Sequence, residues 1–392
     1  MMKTNILSRI KLIFNIGIVS FFVFSCREKG CMDPNALNYN PDAKKDAPCE
    51  YADFDKSEML TNICDNYIIP SYNEFNTQSN TLNSKINDFI TTPTISNLNN
   101  LRNQWKEALL CWQDVSFIEF GPAEYILLKN QVNIYPVDTT LIFSNINSGS
   151  YNLQSAQNYD SKGFQALDYL LFQPGFSDQD HVDYFENNSN ARTYLQDIGN
   201  DITSNSQYVV DQWTSYQTTF KSNSESNAQG SSVSNIINGL CFYHETYMRK
   251  GKLGLPLGVF NGFSQQEMPE LVECYYYGQS LPFAIRAYES MKKYINGISY
   301  LASNNGIGLD DYMDFVGATQ NSTTLSSVIS NQIDLITDNL NLLNDPLSNE
   351  ILSNKPAVSE CYSKMQQLVP YTKVDMTSAL GVLITYQDND GD

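Results

Sequence analysis

Histidine is scarce in this chain, with only two copies, His181 and His244, among 392 residues. A metal site built from three or more imidazoles is therefore excluded. The His-Glu-x-x-His pattern of zinc peptidases is absent, because His244-Glu245 is followed by Thr-Tyr-Met. His181 follows three polar residues at 178–180, where we expect a solvated loop. The Gly-x-Ser-x-Gly motif of serine hydrolases is missing as well.

Basic residues are also few. Lys and Arg number 24 against 43 Asp and Glu, which gives a net charge of −19. Such a surface repels nucleic acid and anionic lipid head groups, and it favours cations or basic partners. We therefore expect no nucleic-acid partner. The alternative meaning of this acidity is that it keeps an exported protein soluble.

The apolar run Leu12–Phe24 is too short to span a bilayer comfortably, and Asn15 and Gly17 interrupt it. Three basic residues precede it: Lys3, Arg9 and Lys11. A positive start followed by a short apolar run is typical of a signal peptide, which we predict over residues 1–25.

Ser25-Cys26 closes this segment, and a small residue directly before Cys resembles a bacterial lipobox. This resemblance implies cleavage before Cys26, acylation of its thiol, and an anchor in the outer membrane that faces the periplasm or the cell surface. The alternative is an ordinary signal peptide with Cys26 as a spare thiol. Export would place the other seven cysteines in an oxidising compartment.

Residues 26–53 are predicted to form a small unit of consecutive turns, because Asp-Pro and Asn-Pro steps recur at loop spacing. The segment 31–51 resembles the short Cys-Asp-Pro-x-Ala-x-Asn modules of secreted bacterial proteins, and in so small a unit a Cys31–Cys49 disulfide would be the main support. A spacer and a calcium site are both open readings, although the order of acidic residues does not follow the helix-loop-helix calcium pattern.

From residue 54 to residue 392 the apolar residues recur at helical spacing, and few stretches alternate with period two. One amphipathic stripe comprises Leu98, Leu101, Trp105, Ala108, Leu109 and Trp112. Pro70 is expected to kink or end the first helical segment. A Ser- and Asn-rich stretch near 220–232 either divides two bundles or forms one long surface loop. The predicted fold class is all-α.

Several segments, in order, resemble the imelysin family over most of the chain. They are Trp112-Gln113 with Gly121-Pro122, Tyr135-Pro136-Val137-Asp138, the run Gly163–Phe172, Arg249–Gly258, Glu273–Tyr277, and the end of the chain from Asp375 to Asp392. The resemblance implies two packed helical bundles. The small module predicted over residues 26–53 precedes them.

The family signature reads Gly-x-His-x-x-Glu, and two ligands three residues apart on one helix face could hold one metal. Here Gln165 stands in place of His, and Asp168 stands in place of Glu. A neutral amide oxygen suits hard cations better than zinc. The sequence therefore favours Ca²⁺ or Fe over Zn²⁺, or a buried Gln–Asp pair that holds two helices together.

The resemblance points to further candidates at the same cleft, namely Glu119, His244 and Glu245, for which packing and ligand contact are both open. Five cysteines remain outside the small module, an odd number, so at least one is unpaired; they are Cys64, Cys111, Cys241, Cys274 and Cys361. Cys111 and Cys241 are expected to be buried as small apolar residues.

These observations predict a non-catalytic lipoprotein that binds a metal ion or a metal-bearing ligand, related to iron uptake through the family, with an uptake-system protein as its partner. One alternative is a metal-dependent peptidase of the imelysin type. The other is a surface interaction protein without a small ligand.

Overall fold

A computed structural model describes residues 28–34 and 36–387. The predicted signal peptide and Cys26 lie outside these residues. The chain divides into two compact units, Met1–Phe54 and Asp55–Asp392. None of the described helices is both long enough and apolar enough to cross a membrane.

The first unit is a set of turns around two short strands. Strand β1 (Lys29–Gly30) pairs in parallel with β2 (Lys45–Asp46). The predicted disulfide between Cys31 and Cys49 is confirmed, with Cα atoms 4.9 Å apart. The Asn38 amide donates to the Pro48 carbonyl at 3.0 Å and accepts from the Glu50 amide at 2.9 Å, so it ties the middle of the unit to the stretch around Cys49.

The second unit is helical, as predicted. Its helices are α1 (Lys56–Asn62), α2 (Ile69–Thr91), α3 (Ile95–Val115), α4 (Pro122–Tyr125), α5 (Leu128–Val132), α6 (Thr139–Ser148), α7 (Gly163–Leu171), α8 (Asp178–Asn187), α9 (Ser189–Ser222), α10 (Ser232–Phe242), α11 (Leu281–Ile295), α12 (Leu309–Phe315), α13 (Leu325–Asn341), α14 (Leu347–Ser353), α15 (Lys355–Val369) and α16 (Thr377–Leu380). A two-stranded hairpin, β3 (Thr319–Gln320) and β4 (Thr323–Thr324), precedes α13.

Wider and tighter helical turns join some of these helices. The π-helical segments are Ile63–Ile68, Tyr243–Gly254 and Pro370–Met376, and the 3₁₀ segments are Ala156–Ser161 and Pro269–Leu271. Pro70 does not end the first helical segment. The π-helical turn Ile63–Ile68 leads directly into α2, which has Pro70 near its start. The Asn66 carbonyl, to which Pro70 cannot donate, accepts a hydrogen bond from the Tyr300 amide at 2.8 Å.

Two groups of long helices form the core. Helices α2, α3 and α9 pack together, α11, α13 and α15 pack together, and α11 also packs on α3. The stripe predicted on α3 is confirmed, since Trp105 and Trp112 are both buried within it. The Ser- and Asn-rich stretch is the connection between α9 and α10.

The five remaining cysteines are all free. Cys241 is buried as predicted. Cys111 is only half-buried, so the prediction that it is buried is wrong. His181 was expected in a solvated loop, and this is also wrong. Ser177 and Asp180 form a capping box that begins α8, which turns His181 inward to 2% exposure.

Asp114 joins the two groups of helices, because its buried carboxylate on α3 is bound from α11. Arg286 donates Nε to Oδ1 at 2.6 Å and Nη2 to Oδ2 at 2.8 Å, in bidentate geometry. Ser290 on α11 and Tyr300 also donate to this carboxylate. A carboxylate with four donors is well satisfied in spite of its burial.

We expect Asp114→Ala to lower the free energy of unfolding by about 2–3 kcal/mol, below the usual cost of breaking a buried ion pair because Arg286 is partly exposed to water. Urea unfolding followed by circular dichroism measures this. The matched control is Asp334→Ala, which breaks an exposed pair with Lys292 and should cost less than about 1 kcal/mol. Equal losses in the two variants would contradict the role of Asp114.

Candidate ligand-binding site

Gln165, on α7, binds the backbone of a segment that has no regular structure. Its Oε1 accepts a hydrogen bond from the Cys274 amide at 2.9 Å, and its Nε2 donates to Asn133 Oδ1 at 2.8 Å. The side chain is 2% exposed. Both ends of the amide are therefore used for structure.

Asp168 lies one turn further along α7 and binds the same segment. Its Oδ2 accepts from the Tyr276 amide at 3.0 Å, and its Oδ1 accepts from the Tyr277 amide at 2.8 Å. Burial raises the pKa of Asp168 to about 7, although the two N–H groups oppose this shift. The two signature positions together hold residues 274–277 in place.

Glu273, which begins the imelysin-like segment Glu273–Tyr277, is a buried charge at this junction and was not among the predicted site residues. Its carboxylate forms an ion pair with Lys252 and accepts from Asn133 at 2.8 Å and from Gln113 at 3.2 Å. Burial alone would raise the pKa of Glu273, but the Lys252 ammonium and these hydrogen bonds bring it below its ordinary value. The sequence offers one indication that Glu273 is buried: it is an acid at the start of the apolar and aromatic run Glu-Cys-Tyr-Tyr-Tyr.

This junction does not fit a metal ion. Both oxygens of Asp168 and the oxygen of Gln165 already accept backbone hydrogen bonds, which a cation would displace. Within 28–34 and 36–387, no three His, Cys, Asp or Glu side chains converge in a way that could hold a metal. The adjacent cavity is small, about 130 Å³, with Tyr135 and Tyr275 among its walls. Gln165 and Asp168 thus form structural hydrogen bonds, but to a segment of turns at 274–277 and not to a second helix as expected.

A larger cavity of about 360 Å³ lies beside Glu119. Its polar walls carry the charged groups of Glu119, Glu124 and Lys129. Its aromatic walls are formed by Phe120, Phe242, Tyr247 and Tyr386. A volume of this size with aromatic walls and a few polar groups is typical of a small-molecule site.

Glu119 and Lys129 are the charged groups most perturbed in this cavity. Burial raises the pKa of Glu119 to about 7, an effect that the Lys129 charge opposes and Glu124 adds to. Burial lowers the pKa of Lys129 to about 8, against the attraction of Glu119. Such opposed shifts are found most often at functional sites.

Two glycines of the predicted motif shape this region. Gly121 has φ +55°, and a Cβ there would lie 2.5 Å from the Tyr216 ring, so the chain turns closely past α9 before Pro122 begins α4. Gly163 has φ +74°, and a Cβ there would lie 2.3 Å from the Val132 carbonyl oxygen. Both positions require glycine because a side chain has neither the space nor the backbone conformation.

A C-terminal segment, Val382–Gln387, forms part of the cavity wall through Thr385 and Tyr386. The Asn238 side chain holds this segment by donating to the Leu383 carbonyl at 3.0 Å and accepting from the Thr385 amide at 2.8 Å. The Tyr386 hydroxyl donates to Glu245, and its ring packs 5.1 Å from Phe242.

The structure therefore separates the predicted site residues. Glu245 is buried and holds Tyr386 and Lys373, the latter at 2.9 Å, so it supports the cavity wall. His244 is 1% exposed; its Nε2 donates to the Met365 carbonyl at 3.0 Å, and Tyr288 lies 3.3 Å from its Nδ1. Burial lowers the pKa of His244 to about 4, which keeps the ring neutral.

We expect Asp168→Ala to lower the free energy of unfolding by about 2–4 kcal/mol, because two buried N–H groups lose their acceptor. Denaturant titration measures this, with the exposed Asp183→Ala as control, expected within about 0.5 kcal/mol of the parent. An unchanged stability of Asp168→Ala would show that residues 274–277 do not depend on this carboxylate.

Comparison with known proteins agrees with this architecture. Iron-regulated protein A of Synechococcus elongatus is 23% identical over 160 residues, which is 40% of this chain and 40% of that protein. A solved protein from Parabacteroides distasonis, described as an iron-regulated protein A precursor, superimposes with a TM-score of 0.68 at 17% identity, covering 83% of this chain and 95% of its own. An imelysin-like protein from Psychrobacter arcticum gives 0.65 at 16% identity, with coverages of 84% and 97%.

These two structures share the fold of this chain. The imelysin peptidase family itself matches residues 68–370, which is most of the chain and includes α2, the α7 signature and α15. The chain therefore belongs to the imelysin family.

Proposed function

We propose that this chain is an exported, iron-related binding protein that holds a metal-bearing ligand and does not transform it chemically. The observation that carries the proposal is the cavity of about 360 Å³ with Glu119 and Lys129 in its walls. Binding requires only a shaped cavity with placed polar groups. Catalysis at the signature would require side chains that are free to act on a substrate. The side chains of Gln165 and Asp168 instead accept hydrogen bonds from backbone amides.

The relation to iron rests on the relatives. Two of the similar proteins are named for regulation by iron, and one of these shares the fold over nearly its whole length. The sequence match to the curated relative spans only 40% of that protein, so its biology enters here as part of the proposal.

A complexed metal suits the cavity better than a bare ion. Glu119 and Glu124 are the carboxylates in its walls, whereas a bare cation needs several converging oxygen ligands. The rings of Phe242, Tyr247 and Tyr386 offer contact area to an organic ligand body. An iron complex with an organic chelator has both kinds of group.

The test is calorimetric titration and thermal melting of the full chain with ferric citrate, haem, Fe²⁺, Zn²⁺ and Ca²⁺. We expect an iron complex to bind more tightly than about 1 mM and to raise the melting temperature, since a ligand of the folded state stabilises it. Absence of both heat and a melting shift for both iron complexes would refute the proposal.

A cavity-filling variant locates the binding. Asn130→Trp places a large ring at the half-buried cavity wall and should abolish the heat of binding. The control Asn100→Trp adds the same ring at an exposed position on α3 and should bind like the parent. Equal binding by the two variants would place the ligand elsewhere.

The proposed location outside the inner membrane rests on the sequence of residues 1–26. Cys26 is the proposed lipid attachment site, and the partners are a membrane and an uptake-system protein. We expect the chain to partition into membranes with an acyl modification on Cys26 detectable by mass spectrometry, and Cys26→Ser to be released into the soluble fraction. An unmodified Cys26 in the exported protein would contradict the anchor.

A further inference from the structure

A second cavity adjoins the first one. It measures about 210 Å³, and its walls are mainly apolar, with Ile134, Pro136, Leu255 and Leu271 among them. Lys129 and Tyr247 line both cavities. The border between a polar cavity and an apolar one is therefore formed by an ammonium group and a phenol ring.

Lys129 has few hydrogen-bond partners for a buried cation. The residue is 6% exposed, and its Nζ donates to the Asn133 carbonyl at a long 3.4 Å. Nζ also lies over two aromatic rings, with the centroid of Tyr247 3.9 Å away and that of Tyr135 5.7 Å away. An ammonium has three N–H donors, and a buried one is costly unless they are satisfied. Donor capacity thus remains at the border of the two cavities.

Glu119 does not supply the missing acceptor. The charges of Glu119 and Lys129 attract each other, yet no ion pair within 4.0 Å joins them. Within the described residues, no donor is hydrogen-bonded to the Glu119 carboxylate. Both residues line the larger cavity, so a ligand group bound there is exposed to both charges.

We propose that Lys129 binds the carboxylate of an amphiphilic organic acid whose apolar, ring-containing body occupies the second cavity. This inference rests on the proposed function and names the ligand class of the same site. A carboxylate at Nζ would replace the missing acceptors with charge-assisted hydrogen bonds. A cationic ligand would instead meet the Lys129 charge at the border.

Such binding should be coupled to protons. A ligand anion is repelled by the Glu119 carboxylate, and it gains a donor when Glu119 is protonated. The ionisable groups near this pair are Glu124, Glu273, Lys252, Tyr72, Tyr135, Tyr243 and Tyr247, and Lys250 also lines the second cavity. Because the pKa of Glu119 is about 7 and that of Lys129 is about 8, lowering the pH protonates Glu119 and keeps Lys129 charged. Affinity for the anion should therefore rise as the pH falls.

The experiment uses three probes with one ring system and different charge: 2-naphthoate, neutral 2-naphthamide and cationic 2-naphthylmethylamine. Each is titrated into the full chain by calorimetry at about pH 6 and about pH 8.5, on either side of the range in which Glu119 and Lys129 titrate. We expect 2-naphthoate to bind at least about 10-fold more tightly than the other two at the lower pH. Its affinity should fall by about 10-fold at the higher pH.

Variants assign the effect to single groups. Lys129→Met should weaken 2-naphthoate binding by about 10-fold or more, as expected for the loss of a hydrogen bond to a charged group. Lys129→Arg should retain part of the affinity, which separates loss of charge from loss of fold. Glu119→Gln should keep the binding at the lower pH and remove the part of the pH dependence that comes from Glu119, leaving the part that comes from loss of the Lys129 charge. Lys293→Met, at an exposed position of α11, is the control and should change nothing.

The outcomes distinguish this inference from the proposed function. Tighter binding of the cationic probe, or full 2-naphthoate binding by a folded Lys129→Met, overturns the inference. If an iron complex binds the parent and 2-naphthoate does not, the ligand class is wrong and the function stands. If 2-naphthoate binds in the Lys129-dependent manner and no iron complex does, the iron-related function fails and the anion site stands.

Discussion

The buried ion pair between Lys252 and Glu273 is the interaction on which the region around the cavities depends. Gln113 and Asn133 complete its shell, and Asn133 connects it to the amide of Gln165. Removing either charge would leave the other buried without its counter-charge, at a cost of about 3–5 kcal/mol. The segment that follows Glu273 has no regular structure, so side chains must satisfy its backbone.

Polar residues with a structural role and those available to a ligand differ here in how many of their hydrogen bonds are made within the protein. Gln165 and Asp168 occupy the helix turn that corresponds to the family signature, and here they hold backbone amides. Glu119 and Lys129, by contrast, face open space with few partners. A buried polar group with all its bonds made stabilises the fold, whereas one with bonds left to make is available to a ligand.

The helical fold could be predicted because it depends on local periodicity, as the buried positions of Trp105 and Trp112 on α3 show. The polar network around Glu273 could not be predicted from the sequence, because Lys252, Glu273 and Asn133 come from separate segments of the chain. Lys129 was missed for the same reason: no spacing in the sequence marks a lysine that lies on an aromatic ring. The prediction that His181 lies in a solvated loop failed because Ser177 and Asp180 form a capping box, so the polar stretch begins a helix.

The last described residues complete the wall of the larger cavity. Thr385 and Tyr386 pack beside Phe242, and Asn238 holds their backbone, whereas Glu119 comes from the first third of the chain. Because residues 119 and 386 lie far apart in the sequence, the cavity is complete only when both ends of the helical unit have packed together. Proteolytic removal of residues 382–387 would therefore open it without touching Glu119.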